Sequence, residues 1–353
     1  MEVRVYNAGM NFLGLIENQT SVLWNRKYFE AGSFEMHVPV TANNIGLIKM
    51  GNLVWKRGAV EAGVIEEIII EQNEFKNEIK ASGRFLESYM SRRLIRPTYY
   101  ANNQLVETAM RTLLTNAVSI PLVELGAAQG FTERVTFQAT YKNLLDYMTK
   151  LGTYSTIGFR FRPDFTAKKI YFETYKGVDR STQQSDRARV IFSEEYNNIH
   201  KASYSRNDQI LKNVCYVGGE GEGSARVYAL SGDDTLTGLE RREMFVNASD
   251  LRSEGLTSAE YQAVLIQRGQ DTLDKNTEST TFECETAAFS NFVYKTHYDL
   301  GDIVTVRKAN WNVEVDLRMT EVTEIYENGE MLVSPVFGTP LPTKIDWSDT
   351  DNG

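Results

Sequence analysis

Apolar and polar residues alternate with a period of two through most of residues 1–90. In the stretch Gly32 to Val40, Phe34, Met36 and Val38 alternate with Ser33, Glu35 and His37, which is the period of a strand with one buried face. Val3, Val5 and Tyr6 open an earlier run, Leu13 to Ile16 continue it, and Ser21 to Trp24 follow the turn Glu17-Asn18-Gln19. Leu53 to Lys56, Gly63 to Ile70 and Glu78 to Gly83 complete the series. Short strands punctuated by Gly and Asn predict a small antiparallel barrel or sandwich.

From about residue 93 the period changes. Leu105, Val106, Ala109, Met110, Leu113 and Leu114 form one helical stripe within 103–114, with Asn102 or Asn103 placed to cap it. A second helix is predicted over 140–151, with Thr140 as N-cap and Gly152 as terminator. Ile157 to Arg162 and Lys169 to Tyr175 then alternate as a hairpin. Strands return at Ala202–Ser205, Leu211–Gly218 and Ala225–Leu230, the last two joined by the Gly-rich run Gly218 to Gly223. A helix is predicted over 258–274, where Thr257 and Glu260 form a capping-box pair. Strands resume at Ser279–Cys284 and continue to about Gly338, and Asp346 to Gly353 is expected to be an acidic, unstructured end.

Two stretches of the chain repeat one pattern. Met50-Gly51-Asn52-Leu53-Val54 parallels Leu300-Gly301-Asp302-Ile303-Val304, and each is followed by a second strand, a turn and a third strand. Three strands in the same order point to two copies of one barrel. The fold class expected is α+β, predominantly β, with two related antiparallel, tube-like β-barrel domains and smaller α+β subdomains. The first barrel is placed at 1–92 and an α+β domain at 93–195. The second barrel is placed at 196–245 with 285–340, an inserted helical and strand subdomain at 246–284, and a flexible acidic tail at 341–353. Two related domains per chain let a trimer present a pseudo-sixfold ring, which would match threefold parts to sixfold ones.

Composition fits this class. The 353 residues are 42% hydrophobic and 24% charged, close to globular averages. The aromatic content of 11% favours strands. The net charge of −9 argues against stable binding of duplex nucleic acid, leaving passive contact with DNA in an oligomeric channel. Cys215 and Cys284 have no metal-ligand spacing and are expected to be buried free thiols. No secretory signal and no membrane-spanning segment are expected, so folding is expected in a cytoplasm.

No catalytic, cofactor-binding or metal-binding residues are expected. His37, His200 and His297 lie apart from any nucleophile motif, and no serine-hydrolase, zinc-protease or Walker-type signature occurs. Glu220 and Glu222 make Gly218–Gly223 a poor phosphate cradle. The pairs Glu66-Glu67 and Glu194-Glu195 read as adjacent strand residues on opposite faces, which cannot converge on one glycosidic bond. Asp346, Asp349 and Asp351 lack the terminal Glu of a calcium loop. Trp24 is expected to anchor a barrel core, with a sugar-binding aromatic patch at Trp24–Phe29 as the alternative.

The stretch Val22 to Pro39 resembles the opening of tail-hub proteins of long-tailed phages, the baseplate-hub or tail-associated family. Its recurring Trp, aromatic pair, Gly and Phe-Glu-apolar-x-apolar-Pro fall here on Trp24, Tyr28-Phe29, Gly32 and Phe34–Pro39. Ile199–Val214 and Tyr298–Val304 are similar to the start of that family's second barrel and to the strand resuming after its insertion. The resemblance implies a homotrimer in the virion tail, assembled in the host bacterial cytoplasm. That trimer would close the tail tube, dock on a sixfold distal-tail ring and open for DNA ejection. The implied partners are the distal tail, tail tube and tape measure proteins and receptor-binding or tip proteins, with DNA only in passage. Relatives with a hydrolase carry it in a C-terminal extension, so that activity is expected to be absent here or supplied by another protein.

Overall fold

The computed structural model describes residues 1–73, 77–117, 119–199, 201–285, 291–327 and 329–338. Strand accounts for 43% of the chain and helix for 20%, so the α+β, predominantly β expectation holds.

The first part runs β1 (Val3–Tyr6), β2 (Phe12–Ile16), β3 (Ser21–Lys27), β4 (Ser33–Pro39), α1 (Ala42–Leu47), β5 (Leu53–Lys56), β6 (Gly63–Val64), β7 (Glu67–Gln72) and β8 (Asn77–Arg84). The alternation read in β4 is realised, with Phe34, Met36 and Val38 buried and their neighbours half-exposed. Trp24 is 1% exposed and packs on Phe34 and Phe85 at centroid distances of 6.0 and 4.6 Å. It therefore anchors the core, and the aromatic patch at Trp24–Phe29 is not a surface. The single strand expected over 63–70 is broken at Ile65-Glu66, because β6 pairs with β5 in one sheet and β7 with β8 in another.

The middle part comprises β9 (Tyr99–Leu105), α2 (Val106–Asn116), β10 (Val123–Leu125), β11 (Arg134–Ala139), α3 (Leu144–Ser155), β12 (Gly158–Asp164) and β13 (Lys169–Tyr175). The expected β12–β13 hairpin is present. Both helices start later than expected. Residues 99–105 are drawn into pairing with β11, Asn103 takes a φ of 46°, and Leu105 becomes the N-cap of α2. In α3 the cap is Asn143, whose side chain accepts from the N–H groups of Leu145 and Asp146, while the Thr140 hydroxyl bonds Thr98. Gly152 lies inside α3, which ends at Thr156 in the left-handed region.

The last part contains β14 (Ile191–Ser193), β15 (Lys201–Asn207), β16 (Val214–Gly218), β17 (Tyr228–Gly232), β18 (Glu243–Asn247), α4 (Ser258–Leu273), β19 (Ser279–Glu285), β20 (Ile303–Lys308), β21 (Val313–Glu327) and β22 (Glu330–Gly338). The capping box of Thr257 and Glu260 opens α4 as read. Strands of 196–245 divide between two sheets. β15 joins the large sheet, whereas β16, β17 and β18 form their own three-stranded sheet, backed by α4 through Cys215, Val217, Val264 and Leu265.

Among the described residues no sheet closes into a barrel. The large one runs β15-β19-β22-β21-β3-β4-β8-β7, with β20 beside β21 and β14 beside β20. This order is one four-strand sequence used twice: a hairpin's first strand, its second strand, the last strand and the strand before it. The register agrees residue by residue. Glu67 faces Ser82 as Glu321 faces Val336, Phe34 faces Gly83 as Phe282 faces Phe337, and Trp24 faces Phe34 as Tyr204 faces Phe282. Gly51 and Gly301 both have positive φ, 79° and 96°, which glycine adopts at no steric cost. Gly51 donates to Ile65 O and Ile65 to Asn52 O, as Gly301 donates to Met319 O and Met319 to Asp302 O. The two blocks are thus parts of one continuous open sheet, joined where β21 pairs with β3.

Candidate functional site

The candidate chemistry does not converge. Glu66 is held by Arg84 and Arg92 at 2.8 and 3.2 Å, while Glu67 accepts from the Ser82 hydroxyl at 2.9 Å. Glu194 and Glu195 lie in the turn after β14 rather than in a strand, and face Lys308 and Arg307 respectively. His37 lies between Glu35 at 2.8 Å on Nε2 and Glu78 at 2.9 Å on Nδ1. Burial opposes its charged form, but the two carboxylates outweigh burial and raise its pKa. His297 accepts from the Val293 N–H, and His200 and the aspartates 346, 349 and 351 lie outside the described residues. Cys215 and Cys284 are buried free thiols, as read. Among the described residues no cluster of three His, Cys, Asp or Glu is placed to hold a metal. Among them also, no helix is long and apolar enough to cross a membrane.

What the fold does concentrate is interface chemistry, at the β21–β3 junction. Arg26, on β3 and 2% exposed, donates to Glu61 at 2.8 Å, Asp299 at 2.7 Å and the Tyr294 hydroxyl at 2.5 Å. Beside it, Glu324 on β21 is 1% exposed and takes Lys56 on one oxygen and Lys295 on the other, the latter at 2.8 Å. Burial opposes ionisation of Glu324, yet the two ammonium groups outweigh it and bring the carboxyl down to about 2. Burial pulls the Lys56 ammonium down to about 8 despite Glu324. Each block supplies charges that the other needs, so the junction is specific as well as hydrogen-bonded.

The counterparts of the two junction strands lie at the sheet's ends. β7, the counterpart of β21, and β15, the counterpart of β3, each have one strand neighbour among the described residues. Val322 and Glu324 are buried under β3, whereas their counterparts Ile68 and Ile70 lie on the open edge, with Ile70 55% and the intervening Ile69 39% exposed. Consecutive isoleucines on an exposed edge strand form a surface that natural sheets cover or pair. Sequence reading found the repeat but missed this consequence, because strand order across the two copies is not encoded in either copy's pattern.

The sequence profile of the family described as Siphovirus ReqiPepy6 Gp37-like protein matches residues 2–339. No curated protein sequence matches. Among solved structures, the fold is similar to the 43 kDa tail protein of prophage MuSo2 from Shewanella oneidensis, with TM-score 0.61 and 14% identity over 96% of this chain and 98% of that one. It is also similar to a tail protein from Neisseria meningitidis MC58, with TM-score 0.58 and 14% identity over 96% of each chain. Prophage tail protein gp18 from Listeria monocytogenes EGD-e gives TM-score 0.57 and 12% identity over 97% of this chain and 96% of that one.

Proposed function

Because the chain belongs to the Siphovirus ReqiPepy6 Gp37-like protein family, and shares its fold with prophage tail proteins, we propose that it is a non-enzymatic hub of a phage or prophage tail tip. In this reading three chains associate edge to edge, β7 of one against β15 of the next. Each new junction repeats the internal β21–β3 junction, so three chains of two blocks close a ring of six similar blocks. Such a ring would close the tail tube, seat on sixfold tube or distal-tail rings, adapt them to a threefold tip, and open for DNA. The observation that carries the reading is the tandem strand order with its two complementary open edges. The division into blocks within 1–92 and within 196–245 plus 285–340, with a middle α+β domain at 93–195, is part of the proposal. The proposal groups 214–247 with the insertion, since β16, β17 and β18 pair with one another.

The internal register fixes the test. Thr323 opposite Asn25 translates to Ile69 opposite Ser205 of the next chain. An Ile69→Cys/Ser205→Cys double variant, oxidised in assembled tails, is expected to give covalent dimers and trimers that vanish on reduction. The Ile69→Cys/Ser203→Cys pair, off register and on the same face, should cross-link far less. No cross-link in either variant, or a ladder extending past three chains, would sink the trimer.

A further inference from the structure

The three-stranded sheet of β17, β16 and β18 packs one face on α4. Its other face is open and aromatic. Tyr216, Leu230 and Phe245 share one row across the sheet, and Tyr228 and Asn247 flank Gly218 in the next. Tyr228 and Phe245 are 55% and 56% exposed, and Tyr216 38%. Exposed rings gathered on one face mark a surface for a ligand or partner.

Between the two most exposed rings lies the side chain of Arg226. Its guanidinium carbon is 5.9 Å from the Tyr228 centroid and 5.6 Å from that of Phe245. It rests across Gly218, where a Cβ would come within 2.7 Å of it. Nε donates to Gly219 O at 3.1 Å, and Nη2 donates to Gly218 O at 2.8 Å and to Asn247 Oδ1. All three acceptors are neutral, among the described residues no carboxylate pairs with this guanidinium, and Nη1 is directed to none of the three acceptors. Arg241 nearby differs, because Asp234 and Glu243 take its charge while it donates to the Tyr216 hydroxyl.

We propose that this face binds an acidic saccharide, its rings stacked on Tyr228 and Phe245 and its acid group on Nη1 of Arg226. Aromatic faces suit the C–H face of a pyranose, and a guanidinium fixed by three acceptors recognises an anion at little entropic cost. A nucleic-acid strand fits less well, since one uncompensated cation on a chain of net charge −9 cannot neutralise a row of phosphates. The acid group is a carboxylate of a uronic acid or a phosphate of a glycopolymer. Each presents a singly charged oxyanion to Arg226.

The test is calorimetric titration of the full chain with a hexasaccharide of alternating glucuronate and N-acetylglucosamine, with a phosphodiester-linked oligomer of N-acetylglucosamine, with chitohexaose as the uncharged control, and with oligo-dT. Binding of one or both acidic probes is expected, at least about tenfold tighter than chitohexaose; which of the two binds identifies the acid group. Tyr228→Ala and Phe245→Ala are each expected to weaken it by about fivefold or more. Arg226→Gln should bring acidic and neutral probes within about twofold of one another. That substitution also removes bonds that tie Gly218 to Asn247, so the two ring variants, which leave those bonds in place, decide if it unfolds the insertion. Absence of binding by both acidic probes up to about 10 mM overturns the proposal. Tighter binding of oligo-dT, or acidic-probe binding unchanged in both ring variants, overturns it as well.

Discussion

Glu87 illustrates what burial does to a single residue. It is 2% exposed, Oε1 accepts from the Phe161 N–H at 2.8 Å, and Oε2 meets no partner among the described residues. Burial pushes its carboxyl from 4.5 up to about 8 against that hydrogen bond. The folded state therefore holds a proton that the unfolded chain releases between these values, and the stability this contributes is full below about 4.5 and lost as pH rises through about 8. Urea unfolding at pH 5, 6, 7 and 8 should show a decline no steeper than about 1.4 kcal/mol per pH unit from this group. Glu87→Gln, which keeps a donor and carries no charge, is expected to flatten that decline; an unchanged slope would place its origin elsewhere. Trp24→Ala removes the ring that Phe34 and Phe85 enclose and is expected to cost about 3–5 kcal/mol by the same measurement.

At the scale of elements, the β21–β3 junction couples two blocks through buried charges rather than through apolar contact alone. Glu324→Gln would leave Lys56 and Lys295 without their shared carboxylate, and a loss of about 3–5 kcal/mol is expected from denaturant midpoints. Lys56→Met/Glu324→Leu removes both charges of the closest pair and is expected to recover part of that loss. A double variant as unstable as the single one would show that shape, not charge, holds the junction. The elements themselves were unequally legible. α4 was readable because its capping box and apolar side are local. The start of α2 was not, because pairing of β9 with β11 claims residues that a helical stripe would otherwise include.

At the scale of the whole molecule, an open sheet that ends in the counterpart of its own internal junction is incomplete without a neighbour. Ile70→Lys puts a charge on the β7 edge, where the corresponding Glu324 of the internal junction is fully covered. The variant is expected to keep its monomer melting temperature within about 2 °C, since an exposed edge residue contributes little to the isolated fold. Light scattering and incorporation into tails should at the same time show loss of ring formation. Normal incorporation of this variant would count against β7 as the contact edge.

The sequence by itself determined the strands with alternating faces, the inward Trp24, the capped α4, the free buried cysteines and the repeat signalled by Gly51 and Gly301. Each of these is written within a few residues, in a period, a cap or a glycine. Only the tertiary structure decided that the two copies share one open sheet, that β16, β17 and β18 stand apart from it, and that Ile68 to Ile70 line an edge. Those outcomes depend on which distant strand satisfies a backbone's hydrogen bonds, and both faces of a strand read the same whichever neighbour supplies them.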